Sequence, residues 1–153
     1  MFNYCVKVIL EYEGGFVNHP DDPGAATNMG ITTKTLSRWL RRPATEDDIR
    51  NLNVGTAKVI YQEYYWNPID GHNLPPGVNL VVFDMAVNAG VTRAIKMLQE
   101  CVGVTVDGII GPNTLAAVTN HGWGSLIDRY SDLRLEVRSG SQTYVVNVSE
   151  ARR

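Results

Sequence analysis

The sequence predicts a mainly α fold with a long loop or small β-hairpin after the first helix, and three observations carry that prediction. Apolar residues recur at three- and four-residue spacing through most of the chain. Gly and Pro interrupt that rhythm repeatedly, as they do between helices. One stretch, Gly14 to Gly30, is instead dominated by Gly, Pro, Asn, Asp and Ala, the composition of a structured loop.

From Phe2 to Glu13, the apolar side chains Cys5, Val6, Ile9 and Leu10 fall on one helical face, and Gly14-Gly15 stops the helix there. Glu13 is thereby placed at a helix C-terminus. Thr32 to Leu40 reads as a short helix whose first turn carries a Thr cap, closed off by Pro43. Thr45 opens the next, Glu46-Asp47-Asp48-Ile49, whose acids suit a helix N-terminus. Gly55 to Trp66 is helical through Val59, Ile60, Tyr64 and Tyr65 until Asn67-Pro68 breaks it.

After Pro75-Pro76-Gly77, the segment Val78 to Asn88 is almost wholly apolar, too short to span a bilayer and long enough for a buried central helix. Gly90 ends it. Thr92 to Val102 is amphipathic through Ala94, Ile95, Leu98 and Val102. Turns at Asp107-Gly108 and Gly111-Pro112 lead to a helix from Pro112 to Val118, with proline at a tolerated first-turn position. Trp123 to Val137 is helical through Leu126, Ile127, Tyr130, Leu133 and Leu135, and Thr143 to Val148 favours a strand.

Bulk properties exclude more than they select. With 153 residues, 44% hydrophobic and 20% charged, the chain suits one ordinary domain rather than a disordered or membrane class. A net charge of −2 gives no general attraction to nucleic acid, and the one tight basic cluster, Arg38, Arg41 and Arg42, reads as a solvated helix end. Cys5 and Cys101 lack metal or redox spacing and read as buried thiols. His19, His72 and His121 are scattered, so no metal or cofactor is expected. The opening apolar run is too short for a signal peptide or an anchor, which predicts synthesis in the cytoplasm and no stable membrane insertion.

The residues suited to chemistry cluster around the loop. Glycosidic cleavage needs a proton donor at the leaving oxygen and a second polar group on the opposite face. Glu13 and Asp22 fit those roles, with Thr27 as a hydroxyl that orients water. Desolvation against Phe16 or Tyr12, together with the negative end of the helix dipole, would favour the protonated acid at Glu13. Each residue also has an ordinary reading. A Glu before Gly-Gly describes many solvated helix ends, Asp21-Asp22-Pro23-Gly24 is common turn chemistry, and Thr27 suits a loop cap.

The run Glu11 to Thr32, reading Glu-Tyr-Glu-Gly-Gly-Phe-Val-Asn-His-Pro-Asp-Asp-Pro-Gly-Ala-Ala-Thr-Asn-Met-Gly-Ile-Thr, closely resembles the opening signature of glycoside hydrolase family 108. The resemblance continues through Tyr64 to Ile69, Leu74 to Gly77 and Phe83 to Gly90. It extends into Val106 to Leu115, which looks like the family's predicted peptidoglycan-binding region.

The resemblance implies a lysozyme-like helical fold and an N-acetylmuramidase that cleaves the β-1,4 bond between N-acetylmuramic acid and N-acetylglucosamine. It places catalytic roles on Glu13, Asp22 and Thr27. It also implies a phage endolysin, a monomer released by a holin-like partner to act on peptidoglycan glycan strands. The alternative is an inactive peptidoglycan-binding or secretion-assisting protein of the same fold.

Expected substrate contacts are Asn28, Tyr65, Trp66, Asp84 and Asn88. Of these, the two aromatics also suit the core, and Asp84 and Asn88 suit either a cleft wall or a buried structural role. One domain is expected, divided into a catalytic lobe at 1–75, a helical lobe with the peptidoglycan-binding-like region at 76–138, and an atypical tail at 139–153. Ala25, where the family commonly shows a second glycine, and the tail are the two departures from the pattern.

Overall fold

The computed structural model describes residues 1–18 and 26–137 and forms two compact units, residues 6–61 and residues 1–5 with 62–153. The expected division at 75/76 thus lies inside the larger unit. The strand expected at 143–148 falls outside the described residues, as do Asp22 and Ala25.

Helix α1 (Phe2–Glu13) buries Phe2, Cys5, Val6, Val8 and Ile9, the face its apolar spacing defines. In the smaller unit a two-stranded antiparallel hairpin follows, β1 (Thr27–Asn28) and β2 (Ile31–Thr32), with Asn28 paired to Ile31. Thr32 then caps α2 (Thr33–Leu40), its side-chain oxygen accepting from the Thr35 N–H at 3.1 Å. The helix stops before Pro43. Arg41 adopts a left-handed conformation (φ 58) that turns its N–H back to the Ser37 carbonyl.

Helix α3 (Glu46–Arg50) opens on a reciprocal capping box: Thr45 Oγ1 accepts from the Asp48 N–H, and the Asp48 carboxylate accepts from the Thr45 N–H. Arg42 grips the same carboxylate with both guanidinium nitrogens, at 2.7 and 3.1 Å. The Arg42 hydrogen bonds, followed by the Thr45 N–H, hold the Asp48 carboxyl well below the usual carboxylate range. One member of the expected solvated basic cluster therefore has a defined partner. Helix α4 (Val54–Tyr61) buries Ala57, Ile60 and Tyr61 and completes the unit.

In the larger unit, Gln62–Trp66 forms a π-helical turn rather than the expected α-helix, with the Asn67 N–H bonded five residues back to the Gln62 carbonyl. Trp66 ends it wholly buried, with ring centroids of Phe2, Phe83 and His72 between 5.3 and 5.5 Å away. Gly71 permits that packing, since a Cβ there would stand 2.4 Å from the indole. Burying rings of this size contributes roughly 1.5–3 kcal/mol each.

Helix α5 (Val78–Ala89) is buried without a break from Val78 to Ala86 and packs against α6 (Val91–Val102) and α8 (Trp123–Val137). Gly77 and Gly90, both at positive φ, bracket it. The Tyr130 hydroxyl donates to the Ala94 carbonyl at 3.0 Å and so fastens α8 to α6. Buried Gln99 donates to Asp107, Ile109 and Thr114 and accepts from the Asp107 and Gly108 N–H groups, which fixes the loop leading to α7 (Pro112–Asn120).

The Cys5 thiol donates to Asn79 Oδ1 at 3.7 Å, and burial pushes Cys5 up to about 12 and Cys101 up to about 11. Among the described residues no helix is long and apolar enough to cross a membrane.

Candidate active site

Helix α1 ends in Glu13 with no basic residue in its last turn, and Gly14, at φ +72, turns the chain away. A left-handed residue just past the helix is a common way for a chain to leave it. The Glu13 side chain is half-buried.

What covers it comes from the hairpin. Met29 and Gly30 both lie at positive φ, 52 and 78, the type I′ turn whose twist matches a two-residue hairpin. Glycine suits that turn; methionine in a left-handed conformation is uncommon. The Met29 carbonyl is held by a hydrogen bond from the Tyr61 hydroxyl at 2.6 Å.

A Cβ on Gly30 would stand 2.6 Å from that hydroxyl and 2.8 Å from both Cγ and Cδ of Glu13. The turn backbone therefore lies directly on the Glu13 carboxyl, with the Tyr61 hydroxyl beside it. Only glycine fits there.

Thr27, half-buried, sits where the loop closes. Its N–H and carbonyl exchange hydrogen bonds of 2.8 Å with Val17, so the chain on either side of the Asp22 segment is tied at one neck. Thr33 Oγ1 adds a bond to the Ala26 carbonyl at 3.1 Å.

Asn28, expected to face substrate, turns inward instead. It is 7% exposed, and its Nδ2 donates to the Ile49 carbonyl at 2.9 Å and the Arg50 carbonyl at 3.4 Å, which ties the hairpin to the end of α3. Phe16, expected to desolvate Glu13, lies under the Arg50 guanidinium at 4.5 Å, and Tyr12 is exposed.

The other expected contacts belong to the larger unit. Tyr65 is half-buried on the π-turn, whereas Trp66, at 0% exposure, has no ring face to offer a sugar. Asp84 is likewise enclosed at 0% exposure, its carboxylate bonded to Arg134 and to Asn88 Nδ2. Asn88, half-buried, also donates to the Asp84 carbonyl at 2.9 Å. Trp66 and Asp84 are thus core residues, because each meets its partners inside the helical packing.

Two residues that reasoning from the sequence passed over stand at Glu13: Gly30 and Tyr61. Asn28-Met29-Gly30-Ile31 carries a hairpin signal, glycine second in a two-residue turn. Tyr61 carries none, since one tyrosine on an apolar helix face looks like any other core residue.

A mainly α fold with a half-buried acid at the end of its first helix suits the class of enzymes that cleave glycosidic bonds, which need a placed proton donor. Comparison with known proteins makes the assignment specific. Residues 6–90 match the family model of glycosyl hydrolase 108, and residues 93–151 match that of a predicted peptidoglycan domain. A solved structure described as the structure of Brucella abortus SagA is 44% identical, with a TM-score of 0.82, covering 88% of this chain and 78% of that one.

No curated protein matches the sequence. The chain belongs to glycosyl hydrolase family 108 and is a peptidoglycan-related glycoside hydrolase. The second match runs to residue 151, through the tail that the sequence sets apart.

Proposed function

We propose that the chain is an N-acetylmuramidase that cleaves the β-1,4 bond between N-acetylmuramic acid and N-acetylglucosamine, with Glu13 as the general acid. The observation that carries this reading is the contact of the Glu13 carboxyl carbon with the Gly30 turn, beside the Tyr61 hydroxyl. A half-buried carboxyl packed on backbone loses part of its hydration, which favours the neutral form needed to donate a proton near neutral pH. The family membership and the peptidoglycan domain support the substrate class.

Glu13 protonates the glycosidic oxygen as the bond to the muramic acid C1 breaks. Asp22 acts from the loop on the opposite face, where it activates or stabilises, and Thr27 at the neck of that loop orients the attacking water. Tyr65 is the aromatic proposed to contact a sugar ring. In the cell the same reading makes the protein an endolysin, whose access to the wall depends on a membrane-permeabilising partner.

The test uses purified cell walls. Clearing of turbidity should fall by about 100- to 10,000-fold in Glu13→Gln, the usual worth of a general acid. Borohydride reduction of the products should label N-acetylmuramic acid as the new reducing end. N-acetylglucosamine at that end would assign the opposite bond, and equal clearing by both proteins would remove Glu13 from its role.

A further inference from the structure

A phenolic hydroxyl has one proton to donate and two lone pairs. At Tyr61 the proton goes to the Met29 carbonyl oxygen, 2.6 Å away. The residue is 1% exposed, so bulk water is no substitute for that partner. The same hydroxyl lies 2.6 Å from the point where a Gly30 Cβ would stand, and the Glu13 carboxyl carbon lies 2.8 Å from that point. Hydroxyl and carboxyl therefore border one side-chain-free spot.

The geometry points to Tyr61 as a positioning residue for the Glu13 acid, a role that rests on the reading of Glu13 given above. Its hydroxyl locks the Met29-Gly30 turn against the carboxyl, and what it has left to present to Glu13 is lone-pair density. A protonated carboxyl can donate into those lone pairs; an ionised one gains nothing from them. The same arrangement that fixes the acid in place thus favours its proton-bearing form.

The turn itself adds no ionisable side chain, since it consists of Met29 and Gly30. On the helices that meet there, the ionisable neighbours in sequence are Glu11 and Tyr12 on α1 and Lys58 on α4.

The experiment compares the full chain with Tyr61→Phe and Glu13→Gln on purified cell walls across pH. Tyr61→Phe should lower kcat about tenfold near neutral pH with KM unchanged, the effect of a loosened reacting group rather than of lost substrate binding. The alkaline limb of its kcat profile should also move to lower pH, because the protonated acid has lost its acceptor.

A hydroxyl that merely stabilised the turn would lower the melting temperature and leave that limb in place, an outcome that overturns the inference while Glu13→Gln remains inactive. Activity in Glu13→Gln would instead remove the reading beneath it. Carbon-13 NMR titration of Glu13 in the unaltered protein checks the same point without relying on a variant: titration above the ordinary glutamate value, about 4.3, supports the inference. Titration at or below that value overturns it.

Discussion

Glu13 and Asp84 are both acids on helices rich in apolar side chains, one in each unit of the chain, and their surroundings differ in ways that suit opposite uses. Asp84 has no exposure, and its charge is taken up by the Arg134 guanidinium and the Asn88 amide. Glu13 is half-buried, packed on the backbone of a glycine turn with a tyrosine hydroxyl next to it. A buried carboxylate closed in with a cation is a strut, because separating the pair costs far more than holding it. A half-buried carboxyl laid against the backbone of a glycine turn is instead the kind of group that the proposed proton transfer calls for.

The largest expected effect lies on the structural acid. Arg134→Met leaves Asp84 enclosed without its cation and should lower stability in urea by about 3–5 kcal/mol, whereas Asp84→Leu with Arg134→Met should recover most of that loss. If the single variant unfolds at the same urea concentration as the parent, Asp84 is not the strut described.

Next in size is Gly30→Ala, which forces a methyl onto Tyr61 and Glu13 at φ +78. It should reduce wall hydrolysis about 100-fold through displacement of the acid and cost roughly 1–3 kcal/mol. Met29→Gly, on the same turn but free of that collision, should retain activity. Equal rates for Gly30→Ala and the parent would break the link between turn and acid.

The smallest effect concerns a third way of burying an ionisable group, as the neutral thiol of Cys5. Because burial pushes that thiol up to about 12 from an ordinary 9.0, the folded state holds its proton more tightly than the unfolded state does. Its contribution to stability is therefore complete below pH 9.0 and is lost as pH rises from there toward 12. Urea midpoints measured through that window should fall less steeply in Cys5→Ala than in the parent. Parallel slopes would show that the thiol does not titrate with unfolding.

Much of this was legible along the chain. The helix boundaries at Glu13 and Leu40, a Thr cap at the start of α2, the cap at Thr45, and the buried central helix follow from periodicity and local hydrogen-bonding chemistry. The π-turn at Gln62–Trp66 was not, since a wider turn leaves no mark in composition, and Trp66, its last residue, is wholly buried. The unit boundary at Tyr61 and Gln62 escaped for a related reason. Pro75-Pro76-Gly77 is loud local punctuation, whereas a boundary between units depends on which distant side chains pack together.

By itself the sequence determined where a carboxyl ends a helix, that a glycine-rich loop follows it, and which family pattern those residues carry, because caps, turns and apolar spacing are short-range properties. Only the tertiary structure decided that Gly30 and Tyr61 meet at Glu13 while Asp84 is closed in with Arg134. Those pairings join residues 17, 48 and 50 positions apart in the chain, and the contacts that fix them are made only when helices and hairpin pack.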